Sequence, residues 1–235
     1  MLDHQNFKEN LERVQERIDG AAFRARRCSS EITLVAVSKT HSAADIHGAY
    51  EAGVRHFGEN RVQEWESKQA HVKDLDATWH LIGHLQSNKV PRALPIFHRF
   101  DSVDTAALAE RIERAAAIGN CSPVRVLIEV KLDPGPSKSG ANEIELPQLV
   151  EAVQRMPHLL LRGLMGVPPY FEDAEKARSY FRHLRELRDA LRVQFGADSL
   201  PALSMGMSHD FEIAIEEGAT EIRVGTALFG EREKA

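Results

Sequence analysis

Eight short runs of aliphatic and β-branched residues recur along the chain, and helical patterns fill the gaps between them. The runs cover residues 32–38, 56–58, 79–83, 99–103, 124–130, 159–165, 202–205 and 221–224. The first, Ile32-Thr-Leu-Val-Ala-Val-Ser38, is nearly continuous in apolar residues, as a strand covered on both faces must be. A helical pattern over 44–52 ends where Gly53 can close it, and others cover 105–118 and 173–195. In the last, Ala177, Phe181, Leu184, Leu187, Leu191 and Phe195 share one face. Strict alternation of strand and helix implies a parallel sheet with right-handed crossovers. Eight such units predict a closed (β/α)8 TIM barrel, an α/β fold, and five or six would have suited an open doubly wound sheet better. Residues 1–28 precede the first strand. There Phe7, Leu11, Val14, Ile18 and Ala21 form one apolar stripe, which predicts an extra N-terminal helix packed outside the barrel. With no linker or repeat in view, residues 1–235 are expected to form a single domain.

Composition narrows the function. Hydrophobic residues make up 43% and charged residues 28%, which excludes a disordered chain. Thirty Lys and Arg stand against 35 Asp and Glu, and a net charge of −5 with no basic block suits no general nucleic-acid binder. Cys28 and Cys121 are far apart and outside any metal spacing, as in a reducing cytoplasm. No apolar stretch approaches the roughly 18 residues that cross a bilayer. The first twenty residues lack the apolar core of a signal peptide, so a cytoplasmic protein with no membrane contact is expected.

In a barrel of this kind the chemistry sits at the C-terminal ends of the strands. The first strand ends in Val37-Ser38-Lys39. A lysine there can hold a neutral amine through burial and attack an aldehyde, or simply reach past the strand end to solvent. The seventh strand runs into Ser204-Met-Gly-Met-Ser208 and a helical stretch opening at His209-Asp210. The eighth runs into Gly225-Thr226-Ala-Leu-Phe-Gly230. Loops after strands seven and eight are the usual phosphate site of the fold, and glycines let the backbone close on an anion. The alternative makes Gly206 and Gly225 turn glycines and Ser208 a helix cap. A phosphate site beside a lysine points to pyridoxal phosphate. Neither GxxxxGK[ST] nor GxGxxG occurs, which removes the simplest nucleotide readings. His80 and His84 flank a strand end without a third ligand, so no metal is expected. Asp101 and Asp104 are candidate carboxylates, with Asp104 the expected cap of the helix that follows. Met165, Met205 and Met207 are read as packing.

Seven blocks in order are similar to one family. They are LVAVSKT ending at Thr40, FGENRVQE from Phe57, WHLIGHLQSNK from Trp79, SKSG at Ser137, RGLMGVPP from Arg162, LSMGMSHD from Leu203 and IRVGTALFGER from Ile222. The chain thus resembles the YggS/PROSC family of pyridoxal phosphate homeostasis proteins over residues 32–232. The resemblance implies a fold-type III pyridoxal-phosphate barrel, like the N-terminal domain of alanine racemase, with the cofactor in its mouth. It makes Lys39 the Schiff-base residue. Ser208, with Ser204 and the amides and hydroxyl of Gly225 and Thr226, would hold the phosphate. Arg223 would face the ring nitrogen or the phosphate, and Asn60 and His80 would line the pocket. One stretch departs from the family pattern: Glu129-Val-Lys131 and the proline-rich LDPGP stand where relatives often have a segment like QVN, and Lys138 follows as a second amine.

The resemblance implies a cofactor carrier and regulator of vitamin B6 pools rather than an enzyme. The expected partners are pyridoxal phosphate and pyridoxal-phosphate-dependent apoenzymes, with the chain itself a monomer. The alternative is an amino-acid racemase, which needs acid–base groups on both faces of the cofactor. Only residues 231–235 follow Gly230, and Tyr50, Tyr170 and Tyr180 form no opposed pair, so efficient turnover is not expected. An aldolase-type barrel using Lys39 has only fold and lysine behind it.

Overall fold

Parallel pairing runs without a break from the first strand to the eighth and back to the first, closing the barrel. The computed structural model describes residues 4–119, 123–133, 135 and 139–230. Cys121, Ser137, Lys138 and residues 231–235 lie outside the described residues. The strands are β1 (Thr33–Val37), β2 (His56–Glu59), β3 (Thr78–Leu81), β4 (Arg99–Val103), β5 (Val124–Val130), β6 (Leu159–Gly166), β7 (Ala202–Met207) and β8 (Glu221–Val224). Each falls on a run legible in the sequence; β2 and β6 continue one residue further than the sequence suggests and β7 two, whereas β3 stops two residues short. The helices are α1 (His4–Arg24), α2 (Ala43–Glu51), α3 (Val62–Gln69), α4 (Val90–Ala93), α5 (Ala106–Gly119), α6 (Leu146–Gln154), α7 (Arg178–Phe195), α8 (Phe211–Glu216) and α9 (Thr226–Phe229).

Local chemistry sets their limits. Ser42 Oγ accepts from the Asp45 amide at 3.2 Å, and Asp45 Oδ2 accepts from the Ser42 amide at 2.9 Å, a reciprocal cap that starts α2. Gly53, at φ +107°, ends it as anticipated. Three details differ from the sequence reading. The pattern from Asp173 opens as a single 3-10 turn, capped by Asp173 Oδ1 on the Glu175 amide, before α7 begins. The helix after β7 starts at Phe211, two residues later than expected, because residues 208–210 form a turn. Thr105, not Asp104, caps α5: Thr105 Oγ1 accepts from the Leu108 amide at 3.3 Å. Asp104 turns instead to His84 Nδ1, 3.5 Å away.

The main core lies between the strands and the helical layer. Phe57 and Trp65 pack against Trp79, with ring centroids 5.0 and 4.2 Å apart, and Phe181, Leu184 and Leu191 seat α7. Phe7, Val14, Ile18 and Ala21 of α1 are all buried. That helix is tied to the far end of the chain. Asn10 Nδ2 donates to the Leu228 carbonyl at 2.9 Å, Arg17 pairs with Glu212, and just past the helix Arg27 Nη1 reaches the Ala219 carbonyl at 2.7 Å. Among the described residues no helix is long and apolar enough to cross a membrane.

Candidate functional site

Alternate residues of a strand face the same side, so each strand presents every second side chain to the barrel interior. On one side that interior is apolar, with Leu127, Met165 and Ala202 in contact. On the other it is charged. Arg99 donates to both oxygens of Glu221, at 2.7 and 2.8 Å, and to Asp101 Oδ1 at 2.9 Å. Asp101 Oδ2 lies 3.0 Å from His80 Nδ1, and His80 Nε2 lies 3.1 Å from His56 Nδ1. Burial pushes the Asp101 carboxyl up, but Arg99 and His80 outweigh it and hold the group below its ordinary value. Burial opposes the charge of Arg99, and Asp101 and Glu221 more than restore it. Burial, with His80 beside it, lowers His56 to about 4.

Above this network stands Arg223, only 4% exposed. Its guanidinium donates to Ser204 Oγ at 2.7 Å and to the Gly166 carbonyl at 3.0 Å. Burial alone weakens its hold on the proton, and Asp101, Glu129 and Asp210 act in the other direction. Glu129 Oε1 accepts from Ser139 Oγ at 3.0 Å, and burial raises its carboxyl. The segment after it is sewn to β5: the Ala141 amide donates to the Glu129 carbonyl and the Lys131 amide to the Ala141 carbonyl.

The mouth itself is formed where β1, β7 and β8 end. Ser208 Oγ accepts from the Gly225 amide at 3.1 Å and from the Ala227 amide at 3.2 Å. The hydroxyl therefore bridges the β7 and β8 loops rather than capping α8. Gly206 makes this turn possible. Its φ is +93°, and a Cβ there would come within 2.6 Å of Ala214 Cβ and 2.9 Å of Phe211 Cα. Asp210 Oδ1 accepts from the Met207 amide at 2.6 Å and fixes the same turn. A Cβ on Gly225 would sit 3.5 Å from Val37 Cβ, so the end of β1 lies directly beside the β8 loop. Lys39 follows two residues on, half-buried in a turn. His209 Nε2 reaches the Phe171 and Glu172 carbonyls, both at 3.1 Å, and joins the β6 loop to this rim.

The residues singled out from sequence thus fall into two levels. Lys39, Asn60, Ser208, Gly225 and Thr226 lie at strand ends and keep some exposure. Ser204, Arg223 and His80 are buried beneath them. His80 is 0% exposed with both ring nitrogens engaged, so it supports the mouth from below, and the next inward residue toward the rim is Ile82. His84 turns away to Asp104. Among the described residues no group of three or more His, Cys, Asp or Glu side chains could hold a metal ion. Sequence reasoning passed over Glu221 and Arg99 entirely. The signal available was three charged side chains inside strand patterns, Arg99, Asp101 and Glu221, which a buried strand admits only when they pair.

A sequence profile described as "Alanine racemase, N-terminal domain" matches residues 2–233. The chain is 46% identical over 228 residues to the pyridoxal phosphate homeostasis protein of Aquifex aeolicus, covering 97% of this chain and 99% of that one. It is 44% identical over 225 residues to the protein of the same name from Pseudomonas aeruginosa, covering 96% and 95%. Among solved structures it is similar to PipY of Synechococcus elongatus, determined with PLP bound. The TM-score is 0.81 at 43% identity, covering 92% of this chain and 100% of PipY. The alanine racemase of Corynebacterium glutamicum, at 17% identity and a TM-score of 0.72, shares the fold over 98% of this chain and 62% of its own.

Proposed function

The chain belongs to the pyridoxal phosphate homeostasis protein family, and from that premise we propose that it holds pyridoxal 5'-phosphate in the barrel mouth without efficient turnover. The observation that carries the reading is the Ser208 hydroxyl, gripped by the Gly225 and Ala227 amides across β8 from Lys39. Two N–H groups converging on one oxygen at a barrel mouth suit an anionic oxygen, and a lysine stands on the neighbouring strand end. The cofactor, when bound, supplies an electrophilic aldehyde and a phosphate. Lys39 offers the amine for the aldehyde. The Ser208 and Thr226 hydroxyls offer donors to the phosphate, the Gly225 amide reaches it only by releasing Ser208 Oγ, and Asn60 lines the rim on the other side of Lys39, at the end of β2. Ser204 and His80 act from beneath, Ser204 by fixing Arg223 and His80 through Asp101.

Arg223 bears on turnover. A guanidinium keeps its charge and only donates, and this one is already committed to Ser204 and Gly166. It provides no carboxylate that would keep a pyridine nitrogen protonated, the condition under which this cofactor works best as an electron sink. The reading is therefore a carrier that exchanges its cofactor with pyridoxal-phosphate-dependent apoenzymes, as a cytoplasmic monomer. The test is borohydride reduction of the protein incubated with pyridoxal phosphate, followed by peptide mapping. Label on Lys39, lost in Lys39→Ala, is the expected result, and label only on Lys89 or Lys138 would remove Lys39 from the role. Racemisation, transamination or decarboxylation of any common amino acid near the median enzyme rate, about 10 per second, would overturn the carrier reading.

A further inference from the structure

A buried ion pair lies behind β1 and β2, outside the interior network. Glu59, at the end of β2, is 0% exposed, and Lys68 of α3 is 8% exposed. Lys68 Nζ donates to Glu59 Oε1 at 2.8 Å and to the Ser38 carbonyl at 3.0 Å. Ser38 Oγ donates to the same carboxylate oxygen at 2.7 Å. One turn earlier on α3, Glu64 Oε1 lies 3.4 Å from Lys68 Nζ and accepts from the Thr40 amide. Thr40 itself is held at φ +68°, a conformation that a β-branched residue adopts only under constraint. Ser38 and Thr40 are the two neighbours of Lys39. Both are thus gripped from the rear of the barrel by a single helix.

Stability is a poor explanation for this arrangement. Well-packed apolar side chains generally serve a core as well as a buried ion pair does. Glu59 is costlier than most, because its Oε2 is buried with no hydrogen-bond partner among the described residues. What the cluster supplies is a fixed backbone on either side of one side chain. The neighbouring contacts agree: the Ser38 amide donates to the Gly58 carbonyl at 3.0 Å, and its carbonyl also accepts from the His41 amide at 3.1 Å.

We propose that Lys68, with Glu59 and Glu64, is a positioning device that locks the turn around Lys39 and so sets where its amine stands at the mouth. The proposal rests on the reading of Lys39 given above. Lys68, Glu59 and Glu64 act through the backbone and touch no ligand. They therefore govern only the part of cofactor binding that depends on Lys39.

Two ligands separate that part from the rest. Pyridoxal phosphate can engage the Lys39 amine, whereas pyridoxamine phosphate has the same ring and phosphate but no aldehyde. Lys68→Met should weaken pyridoxal phosphate by about ten-fold, on the scale of one lost hydrogen bond to a charged group. It should also lower the borohydride-trapped share at saturation and leave pyridoxamine phosphate at its wild-type affinity. Glu64→Ala, at a partly exposed position, should act in the same direction more weakly, and it decides the matter should Lys68→Met fail to fold. Equal losses for both ligands, or no loss for either, overturn the proposal. Lys39→Ala measured alongside keeps the two ideas apart. If it binds pyridoxal phosphate like wild type, the assignment of Lys39 fails. If it loses affinity while the α3 variants do not, only the positioning device fails.

Discussion

Replacing Arg99 by methionine tests the charged interior directly. Arg99 satisfies both oxygens of Glu221 and one of Asp101, and all three side chains are buried. Methionine keeps the unbranched stem, ends where the guanidinium begins, and strands two carboxylates inside the barrel. Removing one partner of a buried pair costs about 3–5 kcal/mol, a large share of the roughly 5–15 kcal/mol that holds a domain folded. Unfolding entropy near 2.1 cal/mol/K per residue gives about 0.5 kcal/mol/K for 235 residues, so a loss of about 4 kcal/mol lowers Tm by about 8 °C. The pH dependence adds a second check. In the wild type Asp101 sits below its ordinary value, so its contribution is present above that value and is lost as pH falls through the folded one. Without Arg99, burial dominates and raises the carboxyl, which favours the folded state at low pH and penalises it as pH rises. The gap between variant and wild type should therefore narrow from pH 7 to pH 5. Thermal unfolding followed by circular dichroism at both pH values measures it, with Arg99→Met/Glu221→Gln recovering about 1–2 kcal/mol as one stranded charge is removed. A loss under about 1 kcal/mol at pH 7, or a gap that ignores pH, refutes the reasoning.

Three further outcomes are expected. Ser208→Ala should weaken pyridoxal phosphate by about ten-fold and leave pyridoxal nearly unchanged, measured by fluorescence titration; equal losses would separate Ser208 from the phosphate. Gly206→Ala forces a Cβ against Ala214 and Phe211 at positive φ, and should cost about 1–3 kcal/mol in denaturant unfolding while weakening the cofactor, since Ser208 hangs on that turn. His56 is held near 4, below its usual 6.5, so its contribution is full above pH 6.5 and fades as pH falls toward 4. His56→Gln should flatten that part of the stability–pH curve, and an unchanged slope would place its origin elsewhere.

The barrel was legible because strand burial on two faces leaves a plain mark, and eight such marks separated by helical patterns admit few topologies. The placement of the mouth residues was legible for a related reason: Lys39, Asn60, Ser208, Gly225 and Thr226 each lie within two residues of a strand end, so the fold alone collects them at one end of the barrel. The charged interior was not. Arg99 and Glu221 are 122 residues apart, on strands that are not neighbours, and only closure of the ring brings them together. Glu59 and Lys68 failed for a subtler reason. Each looks like an ordinary surface charge in sequence, and burial follows from how α3 seats Trp65 against Trp79. Asp104 and Thr105 are both good cap residues, and the nearby imidazole of His84 takes up the aspartate.

The tie between α1 and the last two helices has a consequence for how the chain is made. Asn10 meets Leu228 across 218 positions, and Arg17 meets Glu212 across 195. At about 5–20 residues per second, a ribosome needs on the order of 10–40 seconds to deliver the partners of a helix it made first. Throughout that time the stripe of Phe7, Val14, Ile18 and Ala21 has α2 beside it but lacks α8 and α9, which cover most of it, and β1 waits equally long for β8. Such distant closure slows folding and leaves greasy surface open to strangers. The nascent chain is therefore most in need of chaperone protection around α1, which is made long before the helices that complete its cover.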